Sequence, residues 1–97
     1  MHVPVIDADT LARALPMRDA IDALGSAFAS GPVPPTPLRS HEATAEGTLL
    51  LMPATAPIGT GVKLVTLTPA NPGRGLPFIH ATYVLFDAAS QAPRAVV

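Results

Sequence analysis

Residues 59–87 read GTGVKLVTLTPANPGRGLPFIHATYVLFD, and this segment sets the architecture of the chain. Runs of Val, Leu, Thr, Ile and Tyr bounded by Gly and Pro are typical of β-strands, and two such runs flank residues 69–77. The middle segment holds three prolines and two glycines, so neither strand can continue through it. The sequence therefore predicts a strand, a defined loop and a second strand.

Lys63 is the only lysine of the chain and lies in the first of these strands. Alternation along residues 62–68 puts it on one face with Val65 and Leu67. A lysine among apolar neighbours loses hydration unless an anion pairs with it. Two interpretations stay open: the aliphatic stem lies along the sheet while the ammonium reaches water, or the ammonium meets an anionic ligand in a pocket.

The composition indicates a single folded domain. The 97 residues are 48% hydrophobic and only 13% charged, which excludes disorder and predicts that a partner or further sequence covers some apolar surface. A net charge of −1 gives no general attraction to nucleic acid or to an anionic membrane. There is no cysteine, so disulfides and thiolate chemistry are excluded. No apolar run approaches the ~20 residues of a membrane span, and residues 1–10 lack the charged start and apolar stretch of a secretory signal, so we expect a cytoplasmic protein.

Two helices are predicted ahead of the strands. Asp7 can cap a helix over about residues 8–15, and Pro16 then suits the start of a second helix over residues 17–30. In the second helix, apolar residues recur at helical spacing, which favours packing in the core over binding of a partner helix. This apolar stripe consists of Met17, Ala20, Ile21, Leu24, Ala27 and Phe28.

Further strands are predicted on both sides of the central pair. Residues 3–6 suggest an edge strand, and residues 93–97 begin a last apolar run. Residues 48–52 form an apolar strand that we expect Pro53 to end. No helix long enough for a parallel crossover lies between the strands, so the sheet should be largely antiparallel. The predicted fold class is α+β, with N-terminal helices packed on a largely antiparallel sheet.

Three common kinds of site find no support in the sequence. The histidines at positions 2, 41 and 80 are far apart and lack metal-ligand spacing, so we expect no metal site. Residues 59–61 and 73–75 start like a dinucleotide fingerprint, but neither has the third glycine or a following helix. Scattered basic residues and a single tyrosine do not support a nucleic-acid platform.

Arg39 and Lys63 remain as the candidates for ligand binding. Arg39 follows the proline-rich residues 31–37 and opens a strand, so its backbone should be well fixed. An arginine fork and a lysine on neighbouring strands would suit a carboxylate. A solvated surface position is the alternative for Arg39, since an exposed charge is a weak signal by itself.

Five segments together resemble the N-terminal region of the ornithine cyclodeaminase/mu-crystallin family. The most specific is GVKLV followed by the loop that ends in GLP, after an arginine and a Met-Pro pair. The segments are LPMRDAIDALGSAF (15–28), PPTPLRSH (34–41), GTLLLMP (47–53), GVKLVTLTPANPGRGLP (61–77) and YVLFDAASQAPRAVV (83–97). The resemblance is therefore spread over most of the chain.

The resemblance implies a two-domain homodimer. In this family an N-terminal α+β region supplies an antiparallel sheet, most of the substrate pocket and the dimer contact. A downstream Rossmann domain binds NAD(H) or NADP(H). Residues 1–97 would then be a truncated chain that covers roughly the first third of a family member, namely its substrate-binding and dimerisation region. The dinucleotide-binding domain is missing, so this chain alone should bind no cofactor.

The resemblance also implies roles for individual residues. Arg39 and Lys63 match the arginine and lysine that bind the substrate carboxylate, and Lys63 is also a catalytic candidate for proton transfer. Met52, in the Met-Pro pair, matches a position near the substrate pocket. The expected ligand is a small amino acid or imine with a carboxylate. A third arginine of the family's carboxylate clamp and a catalytic aspartate have no counterpart in these residues.

Three functions stay open at this point. The parent can be an enzyme that performs ornithine cyclodeamination, alanine dehydrogenation or reduction of cyclic ketimines. It can be a mu-crystallin-like protein that binds a small ligand with little turnover. The chain can also be an inactive, truncated dimerisation fragment.

Overall fold

The computed structural model describes residues 2–97. Two helices come first, and five strands follow in an antiparallel sheet whose spatial order is the chain order. The elements are α1 (Ala8–Ala14), α2 (Met17–Ala29), β1 (Ser40–Ala43), β2 (Thr48–Ala56), β3 (Gly59–Leu67), β4 (Ile79–Phe86) and β5 (Pro93–Val96). The predicted α+β class with an antiparallel sheet is confirmed. Neither helix in this part of the chain is long and apolar enough to cross a membrane.

The loop between β3 and β4 is held in one conformation by its own hydrogen bonds. Asn71 is buried, its side-chain Nδ2 donates to the Pro77 carbonyl at 3.1 Å, and its backbone N–H donates to the Thr68 carbonyl at 3.0 Å. A single 3₁₀ turn, Pro72–Arg74, ends at Gly75, whose φ of 74° lies in the left-handed region that glycine tolerates. The prediction of a defined loop is confirmed.

Strand β2 is longer than the sequence predicts. It continues through Pro53 to Ala56, and the turn to β3 is confined to residues 57–58. Strand β1 pairs with β2 only as far as Leu51, so beyond that residue one edge of β2 is open. Pro53 lacks an N–H and is tolerated at this open edge, while it still pairs with Val62 of β3. The expectation that Pro53 ends the strand is therefore wrong.

The predicted N-terminal edge strand is reduced to a single bridge. Val5 pairs in parallel with Val96, and the Ile6 N–H donates to the Val96 carbonyl at 2.7 Å. The Val96 N–H in turn donates to the Pro4 carbonyl at 3.0 Å. This short pairing covers part of the outer edge of β5.

The buried hydrophobic residues lie on one face of the sheet, which we call the core face. Leu50 and Val65 face each other across β2 and β3, and Ala95 continues the face on β5. Helix α2 contributes no buried residue, and the side chains of Ile21 and Phe28 are 61% and 63% exposed. The prediction that the α2 stripe packs in the core is therefore wrong for this chain, because no described element covers it.

Candidate functional site

One transverse row of the sheet carries the residues that the sequence singles out. Met52 pairs with Lys63, and Lys63 pairs with Tyr83. Directly opposite residues in antiparallel strands project from the same face. Arg39 directly precedes β1, whose first residue pairs with Leu51, so Arg39 extends the row by one strand. The row on the core face is Arg39, Met52, Lys63 and Tyr83.

These side chains line one open cavity of about 730 Å³, which we call the cation cavity. Arg39 and Lys63 are separated by β2, so their backbones are two strand spacings, or roughly 10 Å, apart. Both side chains are long enough to converge above Met52, which lies between them. The structure thus brings all three predicted residues to one cavity, and their role in binding a ligand stays a prediction.

The local scaffold fixes both cations at the backbone. Lys63 lies in the middle of β3, which pairs with β2 on one side and β4 on the other. Arg39 follows Thr36, Pro37 and Leu38, which also line the cation cavity. The ring of Pro37 restricts φ, so the chain approaches β1 with little conformational freedom. The side chains themselves are free to adjust to a ligand.

Neither cation is paired with a carboxylate within residues 2–97. The ion pair in this part of the chain joins Arg94 Nη1 to Asp87 Oδ2 at 3.6 Å, at the end of β4. Arg39 and Lys63 are both exposed, and no acidic side chain lines the cation cavity. An anion that enters would meet two cations without displacing a carboxylate of the protein.

A second cavity of about 430 Å³, the α1 cavity, lies on the β5 side of Lys63. Leu11 and Asp7 line it from the helix, and Tyr83 borders it from the sheet. Asp7 caps α1, because its Oδ1 accepts the Thr10 N–H at 2.8 Å. This hydrogen bond lowers the pKa of Asp7 below its ordinary value of 3.8.

Sequence reasoning missed Tyr83 and His41 as lining residues of the cation cavity. His41 lies two residues after Arg39 and therefore projects from the same face. Tyr83 was identifiable in principle, because a hairpin with equal arms around the loop at residues 68–78 places it opposite Lys63. That argument needs the pairing register, which residue periodicity alone does not supply.

The two Gly-X-Gly segments do not form a nucleotide site. Gly59 and Gly61 belong to β3, and residues 73–75 close the 3₁₀ turn that leads to β4. Neither segment precedes a helix N-terminus, the group that holds a pyrophosphate. Neither segment therefore fits the phosphates of a nicotinamide dinucleotide. No cluster of three metal-ligating side chains is present among residues 2–97.

The fold occurs in solved structures of enzymes that act on amino acids and cyclic imines. A lysine cyclodeaminase that recognises L-lysine, L-ornithine and L-2,4-diaminobutyric acid matches with a TM-score of 0.79 and 30% identity, over 99% of this chain and 32% of its own. An archaeal alanine dehydrogenase dimer with bound NAD matches with a TM-score of 0.83 and 27% identity, over 99% and 31%. The Δ1-pyrroline-2-carboxylate reductase of Thermococcus litoralis, in complex with NADH and L-proline, gives 0.82 and 28%, over 97% and 31%. The chain has the fold of the N-terminal part of such enzymes and spans about a third of their length.

The sequence comparison is more specific. The pattern of the ornithine cyclodeaminase/mu-crystallin family matches residues 5–97. The chain belongs to this family, and the resemblance found in its sequence is confirmed. No curated protein sequence matches the chain.

Proposed function

We propose that the chain is the substrate-binding region of a nicotinamide-dependent enzyme that acts on a small amino acid or cyclic imine. The observation that carries this proposal is the placement of Arg39 and Lys63 in one cavity without a competing carboxylate. The family and the three structural relatives support the enzyme class. Ornithine cyclodeamination, alanine dehydrogenation and ketimine reduction are the candidate reactions.

In this proposal Arg39 and Lys63 bind the substrate carboxylate together, from different sides. The guanidinium of Arg39 offers two parallel N–H donors to the two carboxylate oxygens, and the ammonium of Lys63 adds a charged donor from the other side. Met52 provides the apolar floor between them. Because both backbones are fixed before the ligand arrives, the reacting carbon is oriented at low entropic cost.

Lys63 has a second role in the proposal. Its ammonium carries three protons, so it can bind the carboxylate and also transfer a proton at the neighbouring amine or imine group. Its place in a central strand keeps the Nζ atom within reach of both groups. Arg39 cannot take this role, because a guanidinium does not lose its proton in proteins.

The cofactor, NAD(H) or NADP(H), would be held by a dinucleotide-binding domain of a longer parent. Residues 2–97 offer no glycine-rich turn before a helix, whereas the relatives with bound NAD or NADH are about three times as long. Residues 1–97 would then serve as the substrate-binding and dimerisation region of a cytoplasmic homodimer. The archaeal relative, described as a dimer, supports the last point.

The carboxylate claim is tested on the chain itself. The isotope-labelled protein is titrated with L-proline and with L-prolinamide, which lacks the negative charge, while the amide shifts of residues 39, 52 and 63 are followed. We expect L-proline alone to move these signals. The Arg39→Lys variant should respond much less, because an ammonium does not reproduce the bidentate fork, and Arg94→Lys is the matched control.

An equal response to both ligands would overturn the proposal. In the intact parent, turnover is then measured by nicotinamide absorbance for dehydrogenation and reduction. Release of ammonia is followed for cyclodeamination, because that reaction regenerates its cofactor. Carboxylate binding without turnover would favour the mu-crystallin-like binding protein instead.

A further inference from the structure

A third cavity, of about 360 Å³, adjoins the cation cavity along the direction of the strands. Thr36, Ala54 and Tyr83 line both cavities, so the two spaces adjoin at these residues. Ala54 and Gly61 lie two residues beyond Met52 and Lys63 on the core face. The proline-rich residues 33–35 cover the space from above. We call it the apolar cavity.

No charged side chain lines the apolar cavity. Ala56, Ile58 and Leu85 contribute hydrocarbon surface, and the nearby hydroxyls of Thr55 and Thr60 bind each other at 2.8 Å. An ammonium that entered this space would lose water without gaining a carboxylate partner, which is unfavourable. The lining therefore suits an uncharged, apolar group.

Tyr83 stands at the boundary between the apolar cavity and the cation cavity. A Cβ atom at position 61 would collide with Cε1, Cζ and the hydroxyl of Tyr83, so the phenol ring lies directly over Gly61. The absence of a side chain at Gly61 thus determines where the ring sits. The hydroxyl is the closest of these atoms to Gly61, which lines the apolar cavity, while Lys63 lines the cation cavity.

We propose that the apolar cavity receives the side chain of the substrate, and that preferred substrates are amino or imino acids with an uncharged, apolar side chain. This inference rests on the proposed function, because Arg39 and Lys63 must first fix the carboxylate above Met52. From there the side chain reaches the apolar cavity past Ala54. Tyr83 is the specificity-determining residue at the entrance.

The inference predicts weak binding of diamino acids, such as those that the lysine cyclodeaminase recognises. Among the linings of the three cavities, the acidic residue is Asp7 in the α1 cavity, which Lys63 also lines. A terminal ammonium would have to pass the ammonium of Lys63 to reach it, and like charges repel. The Oδ1 atom of Asp7 is moreover committed to the cap of α1.

L-norvaline and L-ornithine provide a matched pair of probes, because they share a five-carbon chain and differ by one terminal amino group. We expect the chain to bind L-norvaline roughly tenfold more tightly than L-ornithine, the order of discrimination that one group provides in a pocket. L-alanine, which has the carboxylate and almost no side chain, is titrated in parallel. Dissociation constants come from calorimetry or from amide shifts.

Two variants test whether the preference for L-norvaline depends on the apolar cavity. Ala56→Leu fills the apolar cavity without reaching the cation cavity, since Ala56 lines only the former. It should weaken L-norvaline binding several-fold and leave L-alanine binding unchanged. Ala43→Leu is the matched control, because Ala43 is an exposed strand residue that lines none of the three cavities.

The outcomes separate this inference from the proposed function. If L-alanine binds but L-ornithine binds as tightly as L-norvaline, the inference is overturned and the carboxylate site stands. Loss of that L-ornithine binding in Asp7→Asn would assign the side chain to the α1 cavity instead. If no carboxylate binds, both the proposed function and this inference fail. The comparison of ligands on the unmodified chain does not depend on whether Ala56→Leu folds.

Discussion

Arg39 and Lys63, the two cations of the proposed site, have no carboxylate partner among residues 2–97. Both are exposed and neither forms an ion pair in the described part of the chain, so neither contributes much to stability. Cations that stabilise a fold are normally paired, whereas these two face an open cavity. This arrangement supports the proposed role in binding an anion.

Replacement of Lys63 should therefore separate binding from folding. We expect Lys63→Met to weaken L-proline binding by at least about tenfold, because a charge-assisted hydrogen bond to the carboxylate is lost. The urea midpoint should hardly change, since the side chain is exposed. Arg74→Met, in the loop, serves as the control that removes a cation elsewhere. Unchanged affinity, or a variant that does not fold, would remove Lys63 from the proposed site.

Gly61 should tolerate substitution far less well than another glycine of the chain. In Gly61→Ala the new methyl group would collide with the ring of Tyr83. Such overpacking lowers the free energy of unfolding by about 1–3 kcal/mol. Gly73→Ala is the matched control, because a Cβ there meets nothing within 4 Å. Urea unfolding of both variants checks the prediction. Equal stability of the two would show that the ring of Tyr83 does not depend on the space at Gly61.

Asp87 should make the stability of the chain sensitive to acid. The N–H groups of Ser90 and Ala89 donate to its carboxylate, with the Ser90 hydroxyl, and lower its pKa below the ordinary value of 3.8. A lowered pKa in the folded state stabilises the fold above pH 3.8, and the benefit is lost as the pH falls through the folded-state value. Asp87→Asn should thus flatten the acid side of a stability-against-pH curve.

Asp9 serves as the control for the effect of Asp87 on stability, because Asp9 has no side-chain hydrogen bond among the described residues. Asp9→Asn is the matched variant, because it likewise replaces an aspartate by asparagine, at an exposed position. If Asp87→Asn gave the same pH profile as the unmodified protein, the turn after β4 would not be stabilised by this carboxylate.

The helices and strands show which parts of a fold a single sequence can predict. The cap at Asp7, the loop at residues 69–77 and the alternation of β3 were correct, because each depends on neighbours in the chain. The burial of α2 and the end of β2 were not, because both depend on contacts between elements. A stripe at helical spacing shows that a helix has an apolar face, but it does not show what covers that face.

Replacement of leucine by alanine should lower the free energy of unfolding much more in the sheet than in α2. Leu50→Ala, on the core face, should destabilise the chain by about 2–4 kcal/mol, because it opens a cavity at a buried position. Leu24→Ala, in the exposed stripe of α2, should change the free energy of unfolding by no more than about 0.5 kcal/mol. Chemical denaturation checks both. Similar losses would mean that α2 packs in the core after all.

At the scale of the whole molecule, the sequence singled out the candidates for ligand binding, Arg39, Lys63 and Met52, but not the residues that surround them. Arg39 and Lys63 stood out because they were cations near predicted strands, and the family pattern added Met52. Residue periodicity alone did not indicate Tyr83 or the apolar cavity, because both depend on the register of three strands and the cavity also on the path of residues 33–36. The proposed preference for substrates with an apolar side chain rests on these two features.

The most direct test of the central claim is a double-mutant cycle between Arg39 and Lys63, with L-proline affinity as the readout. If both cations hold one carboxylate, Arg39→Gln and Lys63→Met should each weaken binding, and the double variant should lose clearly less than the two single losses together, with a coupling of about 1 kcal/mol or more. Strictly additive losses, or a single variant that binds L-proline like the unmodified chain, would contradict a shared carboxylate site.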